Sequence, residues 1–234
     1  DVNQLKKEIN KDTILISIMM ANNEIGTIQD VKQIGRIAHD NGIVFHTDAV
    51  QGVGNVKIDV NEMNIDMLSL SAHKFYGPKG IGALYVRDGI NIERIQDGGH
   101  QEMNRRAGTE NVAEIVGLGK AIELASFNIE EYNKHLLDLR QYFISEIKGK
   151  VKDIKINGSL EKRLSGNINI SFKGKESSEI LLGLDKRGIC ASGGSACSSG
   201  MNSPSHVLLA IGLNKEYING TIRITLGEEN TKQD

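Results

Sequence analysis

Along the first half of the chain, hydrophobic and polar residues form two patterns: short apolar runs typical of strands, and an apolar stripe at helical spacing. Thr13–Met20 is an apolar, β-branched run, which is typical of a strand buried on both faces. Asp30 is placed to cap a helix with apolar residues at helical spacing, and Asn41-Gly42 is placed to end it. Further strands are predicted at Ile43–Thr47, Asp66–Ser71 and Ile81–Val86. Strand, helix and strand at this spacing predict an α/β domain with a largely parallel sheet and flanking helices.

The pattern changes in the second half. Two long helices are predicted at Glu110–Ala125 and Glu130–Lys148. The segments that follow are short, with strands predicted at Asp153–Ile156, Asn167–Phe172 and Thr221–Leu226 and helices at Glu176–Lys186 and Pro204–Ile211. The sequence therefore predicts an α/β domain over residues 1–127 and a smaller α+β domain over residues 128–234.

Composition and charge exclude several classes of partner. The 234 residues are 39% apolar and 25% charged, as in a globular protein, and the formal net charge is −2. This balance predicts neither nucleic acid nor an anionic membrane as a partner. The apolar run Ile14–Ala21 is shorter than the roughly 18 residues that a membrane helix needs. Two cysteines indicate a reducing, cytoplasmic compartment, and no set of metal ligands is assigned.

Polar side chains follow three of the predicted strands. Asn23 follows the first, Asp48 the second, and Ser71, His73 and Lys74 the third. Each has a structural alternative, such as a turn, a helix cap or a solvated charge, but their coincidence at one sheet edge favours a ligand site. A lysine facing an aspartate suits a covalent link to an aldehyde cofactor whose pyridine nitrogen is kept protonated, as in pyridoxal phosphate. The spacing alone does not establish this chemistry.

The two cysteines have different sequence surroundings. Residues 191–200 are nearly all small, so Cys197 is expected in an exposed, mobile loop and is predicted to be a nucleophile. Cys190 follows Ile189 in a strand-like position, and we expect it to be buried as a small apolar side chain. A Cys190–Cys197 disulfide is the weaker alternative.

Several motifs together resemble the cysteine desulfurases, which are fold-type I pyridoxal-phosphate enzymes of the class V aminotransferase group. The matching segments are His46–Gln51, Ser69–Gly82, Asn22–Gly26, Arg105–Thr109, Gly194–Gly200 and Pro204–Leu208. The resemblance extends from about Thr13 to Gly227, and the Gly-Ser-Ala-Cys loop is similar to that of the NifS/IscS type. The fold implied is part of the pyridoxal-phosphate transferase large domain plus most of the small domain.

The resemblance implies one contact for each polar part of pyridoxal phosphate. Lys74 bonds the aldehyde carbon, Asp48 pairs with the pyridine nitrogen, and Gln51 bonds the ring hydroxyl. The phosphate contacts are Ser71, His73 and, from the neighbouring subunit of a homodimer, Thr109.

Substrate contacts follow from the same resemblance. Asn23 lies near the ring hydroxyl and the substrate carboxylate, Arg223 clamps that carboxylate, and Cys197 takes the sulfur. The implied activity converts L-cysteine to L-alanine and an enzyme-bound persulfide, which passes to an acceptor such as an iron–sulfur scaffold protein. His100 falls in a family-like glycine loop and either lines the site or caps the loop.

The chain departs from the family pattern at both ends. Members begin with a segment that helps build the small domain, and the first half of the large domain follows, with a glycine-threonine phosphate loop and a ring-stacking histidine. They end with a helix that closes the small domain. By this resemblance the chain is incomplete at both its N-terminus and its C-terminus, and the activity is implied for the parent protein. The alternatives are a selenocysteine lyase, a class V aminotransferase, and a truncated, non-catalytic binding or assembly chain.

Overall fold

Contacts divide the chain into two compact units. A computed structural model describes residues 1–194 and 204–234. The first unit comprises Asp1–Met20 and Asp30–Ile129, and the second comprises Ala21–Gln29 and Glu130–Asp234. The segment Ala21–Gln29, called here the 21–29 loop, therefore packs with the C-terminal residues, whereas the sequence pattern predicts one contiguous boundary after residue 127.

A four-stranded sheet organises the first unit. Its strands are β1 (Leu15–Ser17), β2 (Val44–Asp48), β3 (Met67–Ser71) and β4 (Gly82–Val86), in that spatial order. The pairs β1–β2 and β2–β3 are parallel, and β3–β4 is antiparallel. The short link between β3 and β4 leaves no room for a crossover helix, which explains the antiparallel pair. The predicted α/β class with a mostly parallel sheet is confirmed.

Four helices of this unit contribute to the core against the sheet. They are α1 (Val2–Glu8), α2 (Val31–Asp40), a 3₁₀ helix at Ala72–Phe75 and α4 (Val112–Phe127). The short segment α3 (Gln101–Asn104) buries no residue. The Asp30 carboxylate accepts the Gln33 N–H at 3.2 Å and starts α2, and Gly42 follows the helix with a φ of +67°. Residues of α2, such as Ala38, pack with Phe45 of β2 in the buried core of this unit.

The second unit is an antiparallel sheet with helices. It contains α5 (Ile129–Lys150, from Glu130 onward), β5 (Ile154–Ile156), β6 (Asn167–Phe172), α6 (Ser177–Asp185), α7 (His206–Ala210), α8 (Lys215–Ile218) and β7 (Thr221–Thr225), with sheet order β5-β6-β7. One face of β6 buries Ile168 and Ile170. The other buries polar groups that are paired: the Asn157 amide donates to Asn169 Oδ1 at 2.7 Å and to Ser171 Oγ at 2.6 Å.

Hydrogen bonds to β6 and to the residues just before it hold the 21–29 loop in the second unit. The Glu24 carbonyl accepts the side-chain amides of Asn167 and Asn169, at 3.1 and 3.2 Å. The Leu164 N–H donates to the Gly26 carbonyl at 2.9 Å. Because these amide groups are buried, the loop supplies acceptors that they would otherwise lack.

Two buried arginines fix the chain between β5 and β6. Arg140 donates to the carbonyls of Leu164 and Leu160, at 2.8 and 3.2 Å, and Arg163 donates to that of Ser159 at 2.6 Å. Burial, together with the smaller effect of the positive charge of Arg140, lowers the pKa of Arg163 to about 10. Each guanidinium group donates to two main-chain carbonyls, since Arg163 also donates to that of Asn157.

Within residues 1–194 and 204–234, none of the helices is long and apolar enough to cross a bilayer.

A buried carboxylate holds the other end of the first unit's sheet, and we expect Asp66→Ala to destabilise the protein. The Asp66 side chain accepts the Phe45 N–H at 2.9 Å and lies 3.1 Å from His39 Nε2 and 3.3 Å from Arg87 Nε. Its loss removes charge-assisted bonds and leaves a buried N–H unpaired, so the free energy of unfolding should fall by about 3 kcal/mol. Urea denaturation measures this change.

The matched control is Glu62→Ala. Glu62 pairs with Lys32 at 3.5 Å, but both side chains are about two-thirds exposed, so the change should stay below about 1 kcal/mol. An equal loss of stability in the two variants would show that the Asp66 network is worth no more than a surface ion pair.

Candidate active site

The predicted aspartate and serine meet at one edge of the first unit's sheet. Asp48 is the last residue of β2, and Ser71 is the last residue of β3. Asp48 pairs in register with Ser69 on the neighbouring parallel strand, so Asp48, Ser69 and Ser71 lie on the same face. Adjacent strands run about 4.8 Å apart, which places the carboxylate and the two hydroxyls within the span of one small ligand.

His46 of β2 lies on this same face, and its side chain contacts the two neighbouring strands. Its Nδ1 lies 2.8 Å from Ser17 Oγ on β1, and its Nε2 lies 2.8 Å from Ser69 Oγ on β3. The imidazole therefore links β1, β2 and β3 two residues before Asp48.

A 3₁₀ helix presents His73 and Lys74. Ala72 and Phe75 are buried, and in a 3₁₀ helix residues three apart share one side. His73 and Lys74 take the remaining sides and are exposed. Within the described part of the chain, neither forms an ion pair or hydrogen bond, so both are available to a ligand.

Close packing fixes this 3₁₀ helix against α4. Tyr76 ends the helix with a φ of +65°, and Gly77 follows. A Cβ at Gly77 would lie 2.8 Å from the Cβ of Ala72 and 3.0 Å from that of Ala121. Only glycine permits this approach, which sets the position of the helix that carries Lys74.

Three other predicted residues lie in loops of the first unit. Gln51 is half-buried in the turn that follows β2, and Thr109 is exposed in the loop before α4. His100 is also exposed, and its Nδ1 lies 2.9 Å from Asn104 Oδ1.

The second unit brings the two predicted substrate residues together. The Arg223 guanidinium donates to the Asn23 carbonyl at 2.8 Å. Arg223 also pairs by its main chain with Ser192, through N···O distances of 2.6 and 3.1 Å. Cys197 lies outside the described residues, but the chain that leads to it is thus paired with the predicted substrate arginine.

Glu24 is a member of this cluster to which the sequence assigns no role. It is 3% exposed, and its Oε2 accepts the Ser205 hydroxyl at 2.6 Å. The available signal was an acidic residue in an otherwise uncharged loop after an apolar strand pattern. Ser205, however, is far away along the chain, so the pattern alone does not give the pairing.

The prediction for Cys190 is wrong. It was expected to be buried in a strand, but it is exposed and lies in no strand. The helix α6 ends at Asp185, and the chain turns onto the surface, where Ile189 is 44% exposed. Two apolar residues are too few for periodicity to distinguish a strand from a surface loop.

The described residues include no group of three or more His, Cys, Asp or Glu side chains placed to hold a metal ion.

The comparison with known families decides the family of the chain. The model of class-V aminotransferases matches residues 1–234. The chain belongs to the class-V aminotransferase family. Class-V aminotransferases are pyridoxal-phosphate-dependent enzymes, which confirms the cofactor class expected from the sequence.

Cysteine desulfurases are prominent among its relatives in this class-V family. The chain is 52% identical, over its whole length, to cysteine desulfurase IscS of Clostridium botulinum, of which it covers 59%. Among solved structures, a "NIFS-like protein" has a TM-score of 0.91 and 36% identity, with 100% of this chain and 61% of that one covered. SspA in complex with cysteine has a TM-score of 0.79 and 39% identity, with 99% and 64% covered.

These values confirm the resemblance to NifS/IscS-type enzymes. They also show that the chain spans about three fifths of the length of these relatives.

The residues present in the first unit fit this family's cofactor. An exposed lysine amine suits the aldehyde, a hydroxyl and an imidazole suit the phosphate, and a carboxylate on the neighbouring strand suits the pyridine nitrogen. These groups are Lys74, Ser71, His73 and Asp48, all at the carboxyl edge of β2 and β3.

Proposed function

We propose that the protein carrying this chain is a cysteine desulfurase, which removes sulfur from L-cysteine and releases L-alanine. The observation that carries the proposal is the pairing of Arg223 with Ser192 and Asn23. An arginine suited to a substrate carboxylate and the chain that leads to Cys197 belong to one hydrogen-bonded cluster. An ordinary aminotransferase needs no thiol there, and the 52% identity to a desulfurase supports the same assignment.

Pyridoxal phosphate, when bound, supplies an electron sink for the substrate α-carbon. Lys74 would hold its aldehyde carbon, and Asp48 would keep its ring nitrogen protonated. Gln51 would bond the ring hydroxyl, and by the same resemblance Asn23 would lie near it. The phosphate would be held by Ser71, His73 and, from a second subunit, Thr109. The exposure of Thr109 supports this last assignment and the homodimer that it requires.

The chain's own side chains then act on the substrate. Arg223 binds the carboxylate of cysteine through its planar fork of donors, and Lys74 takes the proton from the α-carbon. The Cys197 thiolate attacks the substrate sulfur, so the substrate C–S bond breaks and an S–S bond forms on Cys197. The carbon skeleton takes up a proton in place of the sulfur and leaves as alanine, so no external oxidant or reductant is required.

The persulfide then passes to an acceptor protein, for which an iron–sulfur scaffold is our proposal. A persulfide carrier needs a reduced thiol between cycles, which supports a reducing, cytoplasmic location.

The test is turnover of L-cysteine by the purified full protein. We expect stoichiometric alanine and a persulfide on Cys197, measured by amino-acid analysis and by mass spectrometry of the alkylated protein. Turnover of selenocysteine alone would assign a selenocysteine lyase, and formation of a keto acid would assign an aminotransferase. Failure of the full protein to bind pyridoxal phosphate would instead leave a non-catalytic assembly role.

Arg223→Lys tests the carboxylate contact. Lysine keeps the positive charge but loses the planar fork, so the KM for cysteine should rise by about 10- to 100-fold, the value of one or two charge-assisted hydrogen bonds. Steady-state alanine production measures this change. Arg187→Lys is the control, because Arg187 lies at the surface after α6 and donates locally, to the Gly183 carbonyl at 2.8 Å. A lower kcat with an unchanged KM in Arg223→Lys would contradict the assignment.

A further inference from the structure

We propose that Glu24 is a positioning residue for sulfur transfer, whose carboxylate holds the chain on both sides of the segment that carries Cys197. Residues 195–203 lie outside the described chain, which stops at Gly194 on one side of this segment and resumes at Pro204 on the other. Oε2 of Glu24 accepts a hydrogen bond from Ser205 on the C-terminal flank and faces Gly194 on the N-terminal flank. The inference rests on the proposed desulfurase function and adds a residue that acts through the cysteine segment.

The contact on the C-terminal flank is a short hydrogen bond. The Ser205 hydroxyl donates to Glu24 Oε2 at 2.6 Å. The same hydroxyl oxygen accepts the N–H groups of Val207 and Leu208, at 3.2 and 3.3 Å, and so caps α7. Because Leu208 is buried in a core cluster with Ile25, the capped helix start is itself fixed. The carboxylate therefore orients a hydroxyl that already organises the chain at this point.

The contact on the N-terminal flank is close packing of the main chain. Gly194 is buried and has a φ of +69°, a conformation that favours glycine. A Cβ at this position would lie 3.3 Å from Glu24 Oε2, the oxygen that accepts the Ser205 hydroxyl. Gly194 is therefore set against the carboxylate, and a side chain there would press on it.

Three hydrogen bonds fix the main chain of Glu24. Its carbonyl accepts the amides of Asn167 and Asn169, and its N–H donates to Asn22 Oδ1 at 2.9 Å. The preceding residue, Asn23, accepts the Arg223 guanidinium at 2.8 Å. Two consecutive residues thus link the flanks of the cysteine segment to the predicted substrate arginine: Asn23 bonds Arg223, and Glu24 bonds Ser205 and faces Gly194.

The test compares Glu24→Ala and Ser205→Ala with variants that retain the bond. Glutamine at position 24 keeps an oxygen acceptor, and threonine at position 205 keeps the hydroxyl, so Glu24→Gln and Ser205→Thr should behave almost as wild type. Glu179→Ala, at an exposed position of α6, is the control for loss of an acidic residue. Ser205→Ala keeps the test decisive if Glu24→Ala does not fold.

Single-turnover kinetics of the holoenzyme give the first readout. Misplacement of a reacting group by about 1 Å costs on the order of 10²-fold in rate, so we expect Glu24→Ala and Ser205→Ala to slow persulfide formation on Cys197 by about 10- to 100-fold. The KM for cysteine should stay within about twofold, because Arg223 keeps its contact with Asn23. The double variant should be no slower than the slower single variant, since both remove one interaction.

Amide hydrogen exchange of the same holoenzymes gives a readout that does not depend on turnover. We expect faster exchange in peptides covering residues 192–194 and 205–208, and unchanged exchange in β6, in Glu24→Ala and Ser205→Ala. Unchanged exchange at both flanks, or a raised KM with an unchanged rate of persulfide formation, would overturn the proposal. If the wild-type holoenzyme makes no alanine from cysteine, the proposed function fails, and the exchange pattern still decides whether Glu24 anchors the segment.

Discussion

Lys74→Ala should abolish covalent capture of pyridoxal phosphate by the full protein. Lys74 is the exposed amine of the 3₁₀ helix that follows β3, and Asp48 ends the neighbouring strand. Without this amine the cofactor can bind only through its phosphate and ring contacts, and proton removal at the substrate α-carbon loses its base. Alanine production should fall by at least about 10³-fold, the combined value of a covalent link and a general base.

Borohydride reduction followed by peptide mass spectrometry measures this loss directly. The wild-type protein should carry the reduced cofactor on the peptide that contains Lys74, and Lys74→Ala should carry it on no peptide. Lys79→Ala is the control, because Lys79 is an exposed lysine of the following turn. Cofactor mass on the Lys79 peptide, or covalent cofactor in Lys74→Ala, would refute the assignment.

Cys197→Ala should stop sulfur transfer while leaving the cofactor in place. The thiolate is the group that accepts the substrate sulfur, so its removal should lower alanine production by about 10³-fold or more, as expected for loss of an activated nucleophile. The visible absorbance of the bound cofactor should be unchanged, because every proposed cofactor contact lies elsewhere in the sequence. Mass spectrometry after incubation with labelled cysteine should find no persulfide.

Cys190→Ala is the matched control, and the exposure of Cys190 decides how the experiment is read. An exposed thiol is open to alkylation, so labelling by itself does not identify the nucleophile. The two cysteines must be distinguished by the position of the labelled sulfur and by turnover. Cys190→Ala should retain normal alanine production. Labelled sulfur on Cys190, or normal turnover by Cys197→Ala, would contradict the proposed mechanism.

Periodicity predicted the elements that bury one continuous face. The helix Val31–Asp40 begins after its predicted cap, Asp30, and the strand Asn167–Phe172 has its predicted bounds. The predicted strand Thr13–Met20 is shorter in the structure, at Leu15–Ser17, although Ile18 and Met20 still donate main-chain hydrogen bonds to β2, at 3.2 and 2.8 Å. The N-terminal helix, Val2–Glu8, was not predicted, since none of its residues is buried and its apolar face is correspondingly weak.

Neither the direction of β4 nor the grouping of the 21–29 loop is contained in the periodicity of the segments themselves. A strand pattern gives no direction, and the antiparallel pairing of β3 with β4 follows from their short connection. The loop follows β1 in the chain but is held by Asn167 and Asn169. No local pattern contains a partner more than a hundred residues away.

The candidate site likewise has one part that the sequence pattern predicts and another that it does not. Strand-end positions predicted that Asp48 and Ser71 share a sheet edge, because the carboxyl ends of parallel strands coincide. The pairing of Glu24 with Ser205 links the 21–29 loop to the start of α7, and neither residue belongs to a periodic pattern that points to the other. Such pairings are specified by the tertiary fold as a whole.

The second compact unit is discontinuous, and this has a consequence for how the protein folds. The chain crosses from one unit to the other after residues 20, 29 and 129, so no single cut separates them. A fragment of residues 130–234 would leave the amides of Asn167 and Asn169 without the Glu24 carbonyl, at a cost of about 1–3 kcal/mol for each unpaired buried group. During synthesis, the 21–29 loop emerges long before β6 exists, so its docking must wait for most of the chain and is a late event. The two units should consequently unfold in one cooperative transition.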